Sequence, residues 1–231
     1  MGNEKVTAIV LAGGKGERMG QGQKKQYMPL DGHPLLSYSL KAFQESPVDE
    51  IILVTNEEAY CREAILEKYH IDKVKKIVPG GKERFESVYN ALLVANDSNY
   101  VLIHDGARPF VTPEIILRCI REVKVYKACV VGMPVKDTVK IVDRDGFASH
   151  TPERNYVYLV QTPQAFSYSL ILKAYRKVIK DQVSGITDDG MAVEYLQEKK
   201  VKLIEGSYQN IKITTPEDFF IAKAFLENKK E

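Results

Sequence analysis

Residues 7–26 read TAIVLAGGKGERMGQGQKKQ. A strand of buried type, Ala8 to Leu11, runs straight into a glycine-rich loop studded with cations. The order is Gly13-Gly14-Lys15-Gly16, then Arg18, then Lys24 and Lys25. Glycines let the backbone come close to a ligand and point N–H groups at it, while Arg18 and the lysines add positive charge. That combination suits a triphosphate. It is not a P-loop, because no Gly-Lys-Ser/Thr follows the glycines at the required spacing. It is not a dinucleotide fingerprint either, since Glu17-Arg18-Met19 follows Gly16 where a third glycine should open a helix.

This strand and loop are the first of a series. Apolar, β-branched runs at Thr7–Ala12, Glu50–Thr55, Lys76–Pro79, Tyr100–His104 and Ala128–Pro134 read as strands. Between them Pro34–Glu45, Glu57–Lys68, Arg84–Ala95 and Pro113–Val123 carry apolar residues at helical spacing, with Thr112 as N-cap before Pro113. Alternating units with near-continuous apolar strands imply an α/β, Rossmann-like fold: a mostly parallel sheet with helices on both faces. Further helices are expected at Ser169–Lys180, at Asp188–Gln197 and from Pro216, with a strand at Lys202–Glu205.

Residues 136–160 break the alternation. Two strand-like runs flank Asp145-Gly146, a hairpin signal with no helix between them. The segment is expected to project as a β-arm at about 136–160 from a single domain spanning 1–231. Its apolar residues Ile141, Val142 and Phe147 need cover, and a second copy of the chain supplies it most simply, which predicts a homodimer.

Composition narrows the function. The net charge of +2 is too small to argue for nucleic acid or an anionic membrane surface. No apolar run approaches the ~20 residues of a membrane span. Cys61, Cys119 and Cys129 are odd in number and widely spaced, which suits reduced thiols in a cytoplasmic protein.

Polar clusters fall repeatedly after strands, where open α/β sheets bind ligands. They are Gly13 to Lys25, Gly80-Gly81-Lys82-Glu83-Arg84, His104 to Pro109, and Val135-Lys136-Asp137-Thr138. Asp105, leaving an apolar strand, either holds Mg²⁺ beside phosphates, or caps a turn or pairs with Arg108. His104 reads as a packed strand residue. Asp188 either caps the helix that follows or faces the site as a second carboxylate. Lys212 is a lone cation between apolar neighbours, and spacing alone does not decide its role.

Taken together, LAGGKGERMG, KKQY, GGKERFESV, IHDGARPF, PVKDTVK, QTPQAF, TDDGMAVEY and NIKITTPED, in order over residues 11–218, resemble the methylerythritol phosphate cytidylyltransferases of the sugar-nucleotidyltransferase superfamily. The resemblance implies a Mg²⁺-dependent reaction of CTP with a polyol phosphate. CTP would be cradled by Ala12, Gly13, Gly14 and Gly16, with Arg18, Lys25 and Lys212 as the catalytic cations on its phosphates. Gly81, Lys82 and Ser87 would approach the cytosine, and Asp105 would serve the ribose and the metal. The polyol phosphate would meet Asp105, Arg108, Thr138 and Thr187, while Arg154 and Thr162 would reach the neighbouring subunit's site. Two positions depart from the family pattern: Gly106, where alanine is frequent, and Gly190-Met191, where Ala-Ser is common. Ribitol phosphate cytidylyltransferases share much of the pattern and supply an alternative acceptor, which Ala107 in GARPF weighs against. A pyrophosphorylase using another nucleotide is a further alternative. A non-catalytic nucleotide-binding protein on the same fold is the alternative of another class. The intact Arg18, Lys25, Asp105 and Lys212 argue against it.

Overall fold

Apolar runs become strands, and the amphipathic stretches become helices, in a computed structural model that describes residues 4–14 and 24–227. β1 (Val6–Leu11) leads to a short ladder of β2 (Pro29–Leu30) and β3 (His33–Pro34), then α1 (Leu35–Gln44) and β4 (Glu50–Val54). α2 (Glu58–Cys61) continues as a π-helical stretch over Arg62–Glu67, followed by β5 (Val74–Val78), α3 (Arg84–Val94) and β6 (Tyr100–Asp105). Next come α4 (Pro113–Tyr126), β7 (Ala128–Pro134) and a small hairpin of β8 (Ile141–Val142) and β9 (Ala148–His150). β10 (Tyr158–Ser167), α5 (Tyr168–Lys180), α6 (Asp189–Leu196), β11 (Lys202–Glu205) and α7 (Pro216–Glu227) complete the order.

The main sheet runs β11-β7-β10-β6-β1-β4-β5. β1 pairs in parallel with β4 and β6, β4 with β5, and β7 with β11, while β10 is antiparallel to both its neighbours. The strands β1, β4, β6 and β7 are buried on both faces, as their sequences require. Val10, Leu53 and Leu102 pack with Leu40, Phe43 and Ile116 on one side. Ile9, Ile52 and Ile103 pack with Leu92, Phe166 and Tyr175 on the other. A third, smaller core of Leu30, Leu35, Phe110, Ile213 and Ala222 docks α7 and fixes the chain on either side of Lys212.

Local signals account for the boundaries. Thr112 caps α4 by accepting the Ile115 N–H, with Pro113 in the first turn. Glu83 and Glu86 form a reciprocal capping box at the start of α3.

The hairpin is smaller than the sequence suggests. Asp143 Oδ1 accepts the N–H groups of Asp145 and Phe147 at 3.0 and 2.9 Å, and Gly146 takes φ 87°, so the Asp-Gly turn forms where expected. From Tyr158 onward, however, the chain already belongs to the main sheet, with Tyr158 opposite Pro134. Pro163 and the polar Gln161, Thr162 and Gln164 disguise this strand in the sequence, because proline is rare inside a sheet. The structure accommodates them with a register shift against β7 between Val160 and Gln164, a bulge beside the ligand rim. All three cysteines are free and buried. Among the described residues no helix is long and apolar enough to cross a membrane.

Candidate active site

Two clefts open side by side at the carboxyl ends of the strands. The first, about 200 Å³, is lined by Ala12, Gly13 and Gly14 after β1, by Gly81 to Arg84 and Ser87 at α3, and by Lys25, Asp105 and Lys212. Its floor is shaped by backbone. A Cβ on Gly13 would lie 3.1 Å from Gly80 Cα, so the two glycine loops meet more closely than side chains usually allow. Gln26 donates from Nε2 to the carbonyls of Ala12 (2.7 Å) and Gly14 (3.0 Å). Those carbonyls are thereby tied to the chain that follows the loop. Ser87 Oγ accepts the Gly81 N–H at 2.9 Å and donates to the Glu83 carbonyl, which fixes the second loop.

The second cleft, about 510 Å³, is lined by Arg108, Val160, Gln161, Thr162, Gln164, Thr187, Asp188, Met191 and Glu194. Arg84, Asp105 and Lys212 line both clefts and form the wall between them. Lys212 Nζ lies 2.8 Å from Asp105 Oδ2, and Arg84 Nε lies 3.2 Å from Asp105 Oδ1. The rest of the Arg84 guanidinium clamps Asp189 in bidentate fashion, at 3.0 and 2.7 Å. Asp189 is fully buried and also accepts the Tyr175 hydroxyl at 2.5 Å. Gln164 Oε1 accepts the N–H groups of Asp189 and Gly190, both at 2.9 Å, which ties β10 to the start of α6.

Burial alone would raise the Asp105 pKa, but the charges of Arg84 and Lys212, with Arg108 behind them, override it. The carboxyl is held well below the usual carboxylate range. His104 shows the opposite balance. Burial pushes it down to about 3 despite the nearby Asp105. Its Nε2–H donates to the Arg108 carbonyl at 3.3 Å, and the Thr162 hydroxyl donates to Nδ1 at 3.0 Å while accepting the Asp105 N–H at 3.1 Å.

A stability effect follows from that depressed value. The unfolded chain binds a proton at His104 below about pH 6.5, whereas the folded chain does not until about pH 3. Folding stability is therefore expected to fall as pH drops from 6.5 toward 4.5, with His104 contributing up to about 1.4 kcal/mol per pH unit. Urea unfolding across that window should give a flatter profile for His104→Gln; equal slopes in the two proteins would contradict the assignment.

The family model for 2-C-methyl-D-erythritol 4-phosphate cytidylyltransferase matches residues 6–228. The chain belongs to this cytidylyltransferase family. A family protein of Lachnoclostridium phytofermentans is 50% identical over 230 residues, covering 99% of both chains. One of Clostridium novyi is 48% identical, covering 98% of each. Among solved structures, 4-diphosphocytidyl-2C-methyl-D-erythritol synthase of Anaerococcus prevotii superposes with a TM-score of 0.87 at 37% identity, covering 97% of this chain and 96% of that one. The Thermus thermophilus cytidylyltransferase gives 0.79 at 27% identity, covering 96% and 99%.

Against the residues that the cytidylyltransferase resemblance selected, Ala12, Gly13, Gly14, Lys25, Gly81, Lys82, Ser87, Asp105 and Lys212 all line the first cleft. Arg108, Thr162 and Thr187 line the second. Gly16 and Arg18 lie outside the described residues. Thr138 and Arg154 are exposed and line neither cleft, and Arg154 instead donates to the Lys136 carbonyl at 3.2 Å. Thr162, which the resemblance sends toward a neighbouring subunit's site, is buried in its own chain, where its hydroxyl accepts the Asp105 N–H. Asp188 caps α6 by accepting the Met191 N–H at 2.8 Å. Gly106 has a packing reason, since a Cβ there would sit 2.7 Å from Leu36 Cδ1 and 2.9 Å from the Leu11 carbonyl.

Sequence reasoning put Arg84 in a polar cluster at the rim but gave it no role, and it missed Asp189, Gln161 and Gln164 as members of the site. Arg84 read as the start of a helix, and its partner Asp189 lies 105 positions away. The signal that was present is the paired glutamines of QTPQ, polar residues between apolar runs that a strand has to satisfy.

The donor set also bears on a metal. Among the described residues no three His, Cys, Asp or Glu side chains cluster to hold an ion by themselves. Mg²⁺ is instead commonly held by one or two carboxylates plus substrate phosphates. Each Asp105 oxygen makes a single cation contact, to Arg84 or to Lys212, and keeps lone-pair capacity. The site fits a divalent cation that arrives with a nucleotide.

Proposed function

We propose that this chain joins CTP and 2-C-methyl-D-erythritol 4-phosphate to give 4-diphosphocytidyl-2-C-methyl-D-erythritol and pyrophosphate, in non-mevalonate isoprenoid synthesis. The observation that carries this reading is the shared wall of Arg84, Asp105 and Lys212 between a glycine-lined cleft and a larger polar one. Such a pair of clefts suits two polyanions that must meet.

The first cleft takes the nucleotide. Ala12 to Gly14 offer backbone to the phosphates, Gly81, Lys82 and Ser87 face the base, and Lys25 and Lys212 meet phosphate charge. The second takes the polyol phosphate, through Arg108, Thr187 and the shared wall. An oxygen of the acceptor phosphate attacks the α-phosphorus, the bond to the β-phosphate bridge breaks, and pyrophosphate leaves. The acceptor monoester is largely dianionic at neutral pH, its second pKa being about 6. No residue need remove a proton. The protein instead aligns the reactants and neutralises charge that grows on the leaving oxygens. Asp105 would hold Mg²⁺, which when bound supplies further charge neutralisation at the phosphates.

We infer a homodimer as the working form. Phe147 and Tyr156 are 73% and 80% exposed, and Ile141, Val142 and Leu159 add to the same uncovered apolar set. In a dimer Thr138 and Arg154 have a role that they lack in their own chain's clefts. Arg154→Ala is expected to raise KM for the polyol phosphate severalfold while leaving KM for CTP nearly unchanged. The reverse pattern would place Arg154 at the nucleotide.

Pyrophosphate release with Mg²⁺, comparing CTP, UTP and ATP, tests the function. Release is expected with CTP when methylerythritol phosphate is present. Equal rates with all three nucleotides, or release that needs no acceptor, would overturn the reading.

A further inference from the structure

Most of the described residues that line the second cleft carry charged or polar side chains. Among the described residues that line it, Val160 and Met191 bring the aliphatic side chains. Two hydrogen bonds hold Met191 in place. Its N–H is bonded to the Asp188 cap at 2.8 Å, and the Thr187 hydroxyl donates to its Sδ at 3.8 Å. Beside it, a Cβ on Gly190 would lie 3.2 Å from Val130 Cγ2, so the start of α6 sits tightly on β7. Met191 is nonetheless 38% exposed and lines the cleft.

We propose that Met191 is the residue that selects a branched acceptor, by giving the methyl group on the polyol chain an apolar contact in an otherwise polar cleft. This inference rests on the function proposed above and deepens it. Hydroxyls and phosphate find partners throughout the cleft, whether or not the polyol carries a methyl group. A methyl group gains nothing from Arg108, Thr187 or Glu194, but does gain from leaving water against a polarisable thioether. Thr187, itself a cleft residue, orients the sulfur from the polar side. The polyol hydroxyls and the methyl group thus meet adjoining surfaces contributed by the TDDGM segment.

The test compares kcat/KM for 2-C-methyl-D-erythritol 4-phosphate with that for D-erythritol 4-phosphate, which lacks the methyl group. Wild type, Met191→Leu and Met191→Gln are assayed at saturating CTP, with thermal melting to confirm folding. A pocket contact to one methyl group supports a preference of about tenfold or more in wild type. Met191→Leu keeps that preference, and Met191→Gln brings the ratio to within about threefold. An unchanged ratio in Met191→Gln, or equal losses on both acceptors, overturns the role of Met191 alone. Turnover of neither acceptor by the wild type overturns the underlying function, and the inference with it.

Discussion

Replacing Lys212 with alanine is expected to lower kcat about a hundredfold or more, with a much smaller change in KM for CTP. The expectation comes from how the residue is held. Ile213 is fully buried and donates its N–H to the Ala107 carbonyl at 2.9 Å, and Ile211 packs against the same small core. With its neighbours so fixed, Lys212 is turned to the wall between the clefts, where its ammonium lies 2.8 Å from Asp105. Charge grows on the pyrophosphate oxygens as the bond breaks, so a fixed cation there stabilises the transition state more than the ground state. Single-turnover and steady-state rates check this, and a loss below about fivefold would remove Lys212 from the catalytic set.

Asp189→Ala is expected to be strongly destabilising. The carboxylate is fully buried, takes both terminal nitrogens of Arg84 and accepts the Tyr175 hydroxyl. Its removal leaves a largely enclosed guanidinium without its principal countercharge, a kind of change that costs about 3–5 kcal/mol. In a protein of this size that corresponds to a fall in Tm of roughly 6–20 °C. Activity should fall as well, because Arg84 then has only Asp105 to hold it at the shared wall. Asp189→Asn keeps the shape and the Tyr175 contact, and is expected to lose less stability while still weakening Arg84. Scanning calorimetry decides the point: a Tm within about 2 °C of wild type would mean that the clamp contributes little.

What the sequence disclosed, and what it hid, follow from locality. A buried strand leading into glycines and cations is visible within twenty residues, and the same pattern after β5 and β6 marks the rim where both clefts lie. The parallel sheet is legible because strands covered on both faces must be apolar throughout. β10 escaped because its central stretch carries Gln161, Thr162, Pro163 and Gln164, whose satisfaction depends on partners far along the chain. Gln161 is bonded to Ser207 and Asn210, Gln164 to Asp188 and the start of α6, and Thr162 to Asp105 and His104. The same reason concealed the role of Arg84, whose meaning lies in Asp189. Lys212 could not be assigned from spacing because its orientation is set by a third core, to which α7 contributes.

The most direct measurement is a competition. Equal amounts of methylerythritol phosphate and ribitol phosphate are offered with limiting CTP and Mg²⁺, and the CDP-alcohols are counted by mass. The predicted result is 4-diphosphocytidyl-2-C-methyl-D-erythritol as the dominant product, with one pyrophosphate for each CTP consumed. Dominance of CDP-ribitol, or consumption of neither acceptor, would contradict it.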